Sequence, residues 1–291
     1  MELHQLRYFC AVADTGSFSR GALRCHVSQP SLSQQILKLE DELGARLFDR
    51  LGRVTRLTSA GETLLPRARA VLQQLEAARG DVDIQKESVS GLVTIGVIPT
   101  VAPYLMPRHL AEYSRKFPEA QLSVVEEITP ILLDRLRAST IDIAVLALPI
   151  RGHEFESFPM LTEALFAAVP KKHRFARRNV LSLKDLRPDP FLLLRDGHCF
   201  RDTAVAACDR ARLHPQIVFE SGQFSSLLSM VAAGMGVSIV PEMAIDKRSR
   251  CAYVRLSDEQ AVRTIGAVRL RGRSFSRTQS ELLSQLTDSR R

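Results

Sequence analysis

At Ser90-Gly91 the chain changes character, and that change limits what it can fold into more than any other feature. Before it, apolar residues recur at helical spacing. After it, short apolar runs with strand character alternate with helical stretches; the runs are 92–98, 122–125, 141–146, 165–169, 191–194, 237–240 and 265–270. Such alternation predicts mainly parallel sheets covered by helices, which bind ligands at the carboxyl ends of strands or between lobes. With 291 residues the chain is too long for one small core, so two or three domains are expected.

The helical part has an order of its own. Leu3, Leu6, Phe9 and Cys10 share one helix face, which Ala13 continues. Ser17 is suited to cap a second helix ending at Arg24, with Phe18, Ala22 and Leu23 as its apolar side. After Cys25-His26-Val27, Ser28 is suited to cap a third helix, with Pro30 in its first turn and Gly44 as its stop. Leu32, Ile36, Leu39 and Leu43 are its inward residues. Two helices joined by so short a turn form a helix-turn-helix.

The other face of the third helix carries Gln29, Ser31, Ser33, Gln34 and Lys38, which can read base edges or phosphates. Arg46, Arg50, Arg53 and Arg56 then straddle Gly52 against a single acid, Asp49, the pattern of a β-wing on a phosphate backbone. A polar helix face alone is most often just solvated. The arginine wing beside it makes DNA the expected partner. Next, Leu64, Ala68, Val71, Leu75, Ala78 and Val82 alternate in steps of four and three, a coiled-coil seam. Thr58 or Ser59 caps this helix, Ser59 with Glu62 fitting a capping box, and Pro66 removes one backbone donor near its start. Dimerisation through the seam is expected; packing against its own head is the simpler use.

Several classes are disfavoured. The net charge of +8 permits an anionic partner without requiring one, and the late cations (Lys247, Arg248, Arg250, Arg269, Arg271, Arg273, Arg277) read first as a solvated face. The N-terminus lacks the apolar core of a signal peptide, and the longest apolar run, 143–150, is far short of a membrane span. A cytoplasmic protein with reduced thiols is therefore expected, and five cysteines, an odd number, argue against a disulfide framework. No His/Cys cluster has zinc spacing, so no metal is expected. No Gly-rich phosphate loop or Ser/His/Asp order points to a cofactor or an enzyme.

Two cysteines invite chemistry. In DGHCFRDTAVAACDR, Cys199 follows His198, precedes Arg201 by two, and lies near the start of a helix expected over 200–212. Positive charge and a helix N-terminus favour thiolate, making Cys199 the candidate attacking thiol and Cys208 the candidate resolving one. Nine residues of α-helix advance about 13.5 Å, whereas a disulfide needs Cα atoms within about 7 Å. A bond between them therefore requires the helix to open, although two such cysteines are more often buried small hydrophobes. Cys10, Cys25 and Cys251 have no comparable surroundings. Thr100, after strand 92–98, and Thr129, before Pro130, each offer a hydroxyl beside a helix N-terminus; both residues are also common caps.

The stretch SFSRGALRCHVSQPSLSQQILKLEDELGARLFDR, followed by LTSAGETLLPRARAVL, resembles the N-terminal third of the LysR-type transcriptional regulators. The resemblance implies a winged helix-turn-helix (1–58), a linker helix (59–88) and a two-lobed α/β regulatory domain of periplasmic-binding-protein type (92–291). It implies lobe I at 92–162 with 266–291 and lobe II at 163–265. Gln29, Pro30, Ser31 and Ser33 would face DNA, with Arg50, Arg53 and Arg56 in the wing. GHCFRDTAVAAC, IPTVAPYLMP, VAAGMGVSIVP and VRTIG resemble the peroxide-sensing members of that family. By that resemblance Cys199 and Cys208 form the redox pair, and Thr100, Thr129, His198 and Arg263 bind peroxide or steady the thiolate. The implied partners are promoter DNA, hydrogen peroxide, RNA polymerase, and a reductant such as glutaredoxin or thioredoxin. A tetramer is implied as well, although the seam itself supports only a dimer. The alternatives are a regulator answering a small organic anion, or a solute-binding protein or enzyme on the two-lobed fold.

Overall fold

The structure, a computed structural model, describes residues 1–51, 54–82, 89–246, 248–259 and 261–288. Gly52, Arg53 and Lys247, residues 83–88 of the expected linker, and the side chains of Arg50, Ala78 and Val82 lie outside the described residues. The chain divides into two compact units, one of residues 1–87 with 135–140 and 274–277, and the other of 88–134, 141–273 and 278–291.

The first unit opens with α1 (Leu3–Thr15), α2 (Phe18–Arg24) and α3 (Gln29–Leu43). The Ser17 hydroxyl accepts from the Arg20 amide at 3.4 Å and the Ser28 hydroxyl from the Ser31 amide at 3.3 Å, so both expected caps form. Gly44 ends α3 at φ 64°, a left-handed conformation that a Cβ would strain. Leu6, Phe9, Val12, Leu32, Ile36, Leu39 and Phe48 make the core. Two expected core residues are outside it: Leu23 is 75% and Leu43 41% exposed. Leu23 lies one residue, about 100°, around the helix from buried Ala22. At the end of α3 the buried side chain is Glu40, whose carboxylate accepts from the Leu47 and Phe48 amides at 2.7 and 3.2 Å.

That carboxylate ties α3 to the wing, β1 (Phe48–Leu51) with β2 (Val54–Leu57), paired antiparallel from Phe48 opposite Leu57 to Leu51 opposite Val54. The long helix α4 (Ser59–Val82) is capped by Thr58, whose hydroxyl accepts from the Gly61 amide at 3.1 Å, and not by Ser59. Leu64 and Ala68 pack into the core of their own head together with Leu65 and Leu72, while Val71 is 44% exposed. The first half of the seam thus serves the head.

The second unit carries β3 (Gly91–Val97), β4 (Ala120–Glu126), β5 (Ile143–Leu148), β6 (Phe155–Pro170), β7 (Val180–Leu181), β8 (Pro190–Leu194), β9 (Gln216–Ser221), β10 (Ser238–Pro241), β11 (Cys251–Leu256) and β12 (Val262–Leu270). Its main sheet runs β4-β3-β5-β12-β6-β11-β7, with β10 also on β6; β8 and β9 form a second, parallel pair. The sheet is mixed, where mainly parallel pairing was expected. Only β3 with β4 and β5, and β7 with β11, pair parallel within it; β12 runs against β5 and β6, and β10 and β11 run against β6. The reason is connectivity: β6 carries the chain from one half of the sheet to the other and β12 carries it back beside β6. Strands β7, β9 and β11 escaped the sequence reading, β7 because it has only two residues and β9 because its residues are mostly exposed and form no buried apolar run. Helices α5 (Ala102–Lys116), α6 (Thr129–Arg137), α7 (Cys199–Arg210), α8 (Phe224–Ala232) and α9 (Arg277–Thr287) complete the fold. Among the described residues no helix is long and apolar enough to cross a membrane.

Candidate functional site: a buried polar cluster beside Cys199

Strands β3 and β4 are parallel neighbours, so their carboxyl ends, Val97 and Glu126, lie side by side. Thr100 follows the first and Thr129 the second, each at or near the start of a helix, which puts both hydroxyls at one edge of the sheet. The segment before α7 comes to the same place. A Cβ added to Gly197 would stand 3.0 Å from Ile128 Cδ1, and Gly197 has φ +89°. Only a glycine permits so close an approach in that conformation.

His198, next in the chain, is 4% exposed, and Arg263 is 3% exposed. Arg263 on β12 lies directly opposite Glu163 on β6, and this register pairs Nε with Oε1 at 2.6 Å. The rest of the guanidinium donates to Thr100, Nη1 to its hydroxyl at 3.3 Å and Nη2 to its carbonyl at 3.2 Å. Its face lies 5.1 Å from the centre of the Phe200 ring, which meets Phe224 edge-on at 5.0 Å. Burial, outweighing the adjacent Glu163 carboxylate, lowers the pKa of Arg263 from its ordinary value. The other Glu163 oxygen accepts from the Met243 amide at 2.8 Å. Sequence reading missed Glu163, which stands inside a long strand with no motif around it; cross-strand register is the only signal for it.

Two polar atoms in this cluster have no hydrogen-bond partner among the described residues: Thr129 Oγ1 and His198 Nε2, both buried. A buried polar atom left unmatched costs free energy, so both atoms are available to a hydrogen-bonding partner. Burial, and then the charge of Arg195, push the His198 pKa below its ordinary value, so the ring is neutral at pH 7 and offers one donor and one acceptor.

Cys199 is the first residue of α7, half-buried, and Cys208 is fully buried on the same unbroken helix, where it belongs to the core with Phe200, Ala204 and Ala207. Both are free thiols. Burial, reinforced by Asp209 and Asp258, raises the Cys208 pKa to about 12, so it remains a thiol. Arg201, expected from its position to favour thiolate at Cys199, is engaged elsewhere: it pairs with Asp196 at 2.7 Å and with Glu220, and donates to the Leu194 carbonyl. Arg263 lies near enough to Cys199 for charges on the two to interact. Cys10, Cys208 and Cys251 all have raised pKa values for the same first reason, burial.

At the head, Gln29, Pro30 and Ser31 are exposed on the first turn of α3, Ser33 is half-buried, and Gln34 and Lys38 are exposed. Arg46 and Arg56 are exposed, and the Arg50 backbone pairs with Thr55 in the wing. Among the described residues no group of His, Cys, Asp or Glu has the arrangement of a metal site.

Comparison with known proteins agrees with this architecture. Residues 3–62 match the bacterial regulatory helix-turn-helix model of the lysR family, and residues 86–291 match the LysR substrate binding domain. The chain is 36% identical to the DNA-binding transcriptional dual regulator OxyR of Escherichia coli K12, over 92% of this chain and 89% of that one. It is 32% identical to the hydrogen peroxide-inducible genes activator of Haemophilus influenzae, over 99% and 97%. Among solved structures, a cysteine-to-aspartate variant of full-length OxyR from Pseudomonas aeruginosa superposes with a TM-score of 0.85 at 32% identity, covering 99% of this chain and 94% of that one. An H2O2-bound cysteine-to-serine mutant of Corynebacterium glutamicum OxyR superposes with a TM-score of 0.66 at 33% identity, covering 99% and 94%. A winged helix-turn-helix head, a long helix and a two-lobed α/β module, matched by both family models, make this chain a member of the LysR family of transcriptional regulators.

Proposed function

We propose that this regulator senses hydrogen peroxide through Cys199 and reports it by forming a disulfide with Cys208. The observation that carries the reading is the pair of unmatched buried atoms, Thr129 Oγ1 and His198 Nε2, beside a thiol at a helix N-terminus. Peroxide is small, uncharged, and both donates and accepts hydrogen bonds, so it suits a hydroxyl and a neutral imidazole nitrogen. The names of the relatives, peroxide-inducible activators, point the same way.

In the first step the Cys199 thiolate attacks one peroxide oxygen. An S–O bond forms, the O–O bond breaks, and the departing hydroxide takes a proton to become water, leaving a sulfenic acid. Arg263 and the α7 N-terminus favour the thiolate, and Thr100, Thr129 and neutral His198 orient the peroxide. In the second step Cys208 sulfur attacks the Cys199 sulfur; an S–S bond forms and the S–O bond breaks, and the Cys208 proton leaves with the oxygen as water. That step requires α7 to unwind, which turns an oxidation into a change of shape. A dithiol reductant of the thioredoxin or glutaredoxin kind restores both thiols.

In this reading the protein works in the cytoplasm as an oligomer joined through α4, reads promoter DNA with Gln29, Pro30, Ser31, Ser33, Arg50, Arg53 and Arg56, and acts on RNA polymerase. Residues 1–58, 59–88 and 92–291 serve as head, linker and sensor, the sensor dividing into 92–162 with 266–291 and 163–265. Peptide mapping by mass spectrometry after one equivalent of peroxide should show a Cys199–Cys208 link with the loss of two hydrogens. A Cys199→Ser protein whose DNA response to peroxide persisted in full would refute the reading and favour an organic-anion effector. Absence of DNA binding in both redox states would favour a solute-binding protein or enzyme.

A further inference from the structure

The segment after β6 reads KKHRFARR, residues 171–178, six of them basic in eight. Three backbone bonds hold it in consecutive turns: His173 to the Pro170 carbonyl at 2.9 Å, Ala176 to His173 at 3.0 Å and Arg178 to Phe175 at 2.9 Å. Arg174 grips Asp189 with both ends of its fork, at 3.1 and 2.7 Å, and His173 reaches the same carboxylate at 3.2 Å. Phe175 is covered by two guanidinium groups, those of Arg174 at 4.6 Å and Arg178 at 4.9 Å. One acid and one ring therefore fix the loop, while Lys171, Lys172, Arg177 and Arg178 are exposed and form no salt bridge among the described residues.

The sheet register adds a second basic segment beside the first. Cys251 opens β11 directly opposite Pro170, the last residue of β6, so residues 248–250 enter where 171–178 leave. Adjacent strands lie about 4.8 Å apart. Arg248 and Arg250 are exposed there, and the nearby Asp246 carboxylate is held by the Arg248 backbone amide at 2.8 Å. Six exposed cations from two segments thus share one end of the sheet, with their neighbouring acids already engaged.

We infer that this end of the regulatory module is a second, sequence-independent DNA-binding surface, contacting phosphates beyond those held by the helix-turn-helix. The alternative partner is an acidic protein, and the surface chemistry disfavours it. A protein interface needs an apolar centre, and the only large apolar side chain in the loop, Phe175, lies beneath its own arginines. A cation-rich loop without such a centre is suited to a duplex, which carries one charge per about 1.7 Å of axis. The inference rests on the chain's being a DNA-binding regulator.

The test is fluorescence anisotropy with the full-length protein, on duplexes that cover only the operator and on duplexes with added flanks, across a series of salt concentrations. The quadruple variant Lys171→Ala, Lys172→Ala, Arg177→Ala, Arg178→Ala leaves Arg174, Phe175 and Asp189 in place, and its thermal unfolding serves as a folding control. On flanked duplexes the slope of log K against log salt should fall by about 0.9 for each phosphate contact removed, so by about 1.8 for two, with little change on the short duplex. Equal slopes and affinities for variant and wild type on flanked DNA would overturn the inference. If promoter output in a reconstituted transcription assay then fell while DNA binding did not, the surface would belong to an acidic protein. A wild-type protein that bound neither duplex would instead refute the DNA-binding reading itself.

Discussion

Ala206 offers the most direct test of a sensor that works by opening a helix. It is half-buried in the middle of α7, between the two cysteines. Replacing it by glycine leaves Cys199, His198 and Arg263 untouched but weakens the helix by about 1 kcal/mol, the usual difference between alanine and glycine in a helix interior. If unwinding precedes S–S closure, the open population rises by exp(1/0.59), about fivefold, and the second step should accelerate by the same factor. The first step should not change, because Cys199 lies in the first turn, where its carbonyl is held by the Thr203 hydroxyl at 3.0 Å. Rapid-quench mass spectrometry separates the two steps, with a sulfenic-acid-selective probe reporting the first and the linked peptide the second. An unchanged second step, or an acceleration confined to the first, would refute the reasoning that the helix is the barrier.

Three further outcomes follow from the same geometry. Glu163→Gln leaves the Arg263 charge buried without its counter-ion; a loss of about 3 kcal/mol in stability is expected, measured by urea unfolding. The Cys208 pKa, raised from 9.0 to about 12, means that the folded reduced state holds a proton the unfolded chain releases. Its stability is therefore complete below pH 9 and falls between pH 9 and 12, and a Cys208→Ala protein should show a flatter profile over that window. Glu40→Ala removes the acceptor for the Leu47 and Phe48 amides, so operator affinity should fall while the peroxide reaction at Cys199 continues at its usual rate, as anisotropy and peroxide kinetics would show.

Much of this fold could be read from short-range signals, since caps and strand ends are local chemistry. Ser17, Ser28 and Gly44 mark helix ends by residue type alone, and each stands where the structure uses it. Thr100 and Thr129 could be placed because a strand followed by a helix brings a hydroxyl to the sheet's carboxyl edge. Arg201 shows the limit. Its neighbours in sequence made it a cation for Cys199, but Glu220, on a strand that carries no buried run, takes up its charge. Glu163 was illegible for a related reason: its partner lies one hundred residues away and meets it only through register. The burial of Glu40 in place of Leu43 likewise depends on where the wing begins.

The longest strand, β6, has a mechanical consequence. Its residues up to Ala164 pair with β12, and from Leu165 onward its partners are β10 and β11. The exchange of partners falls beside Glu163, where its buried ion pair with Arg263 also sits. Eight residues extend on the N-terminal side of Glu163 and seven on the other, roughly 26 and 23 Å of continuous strand at about 3.3 Å each. The strand thus joins both halves of the sheet, with Glu163 at the join. A shift of β6 at Glu163 is passed along one strand to both sets of partners, β12 on one side and β10 and β11 on the other. Whatever alters the Glu163–Arg263 pair is therefore felt at the seam where the two sets of strands meet.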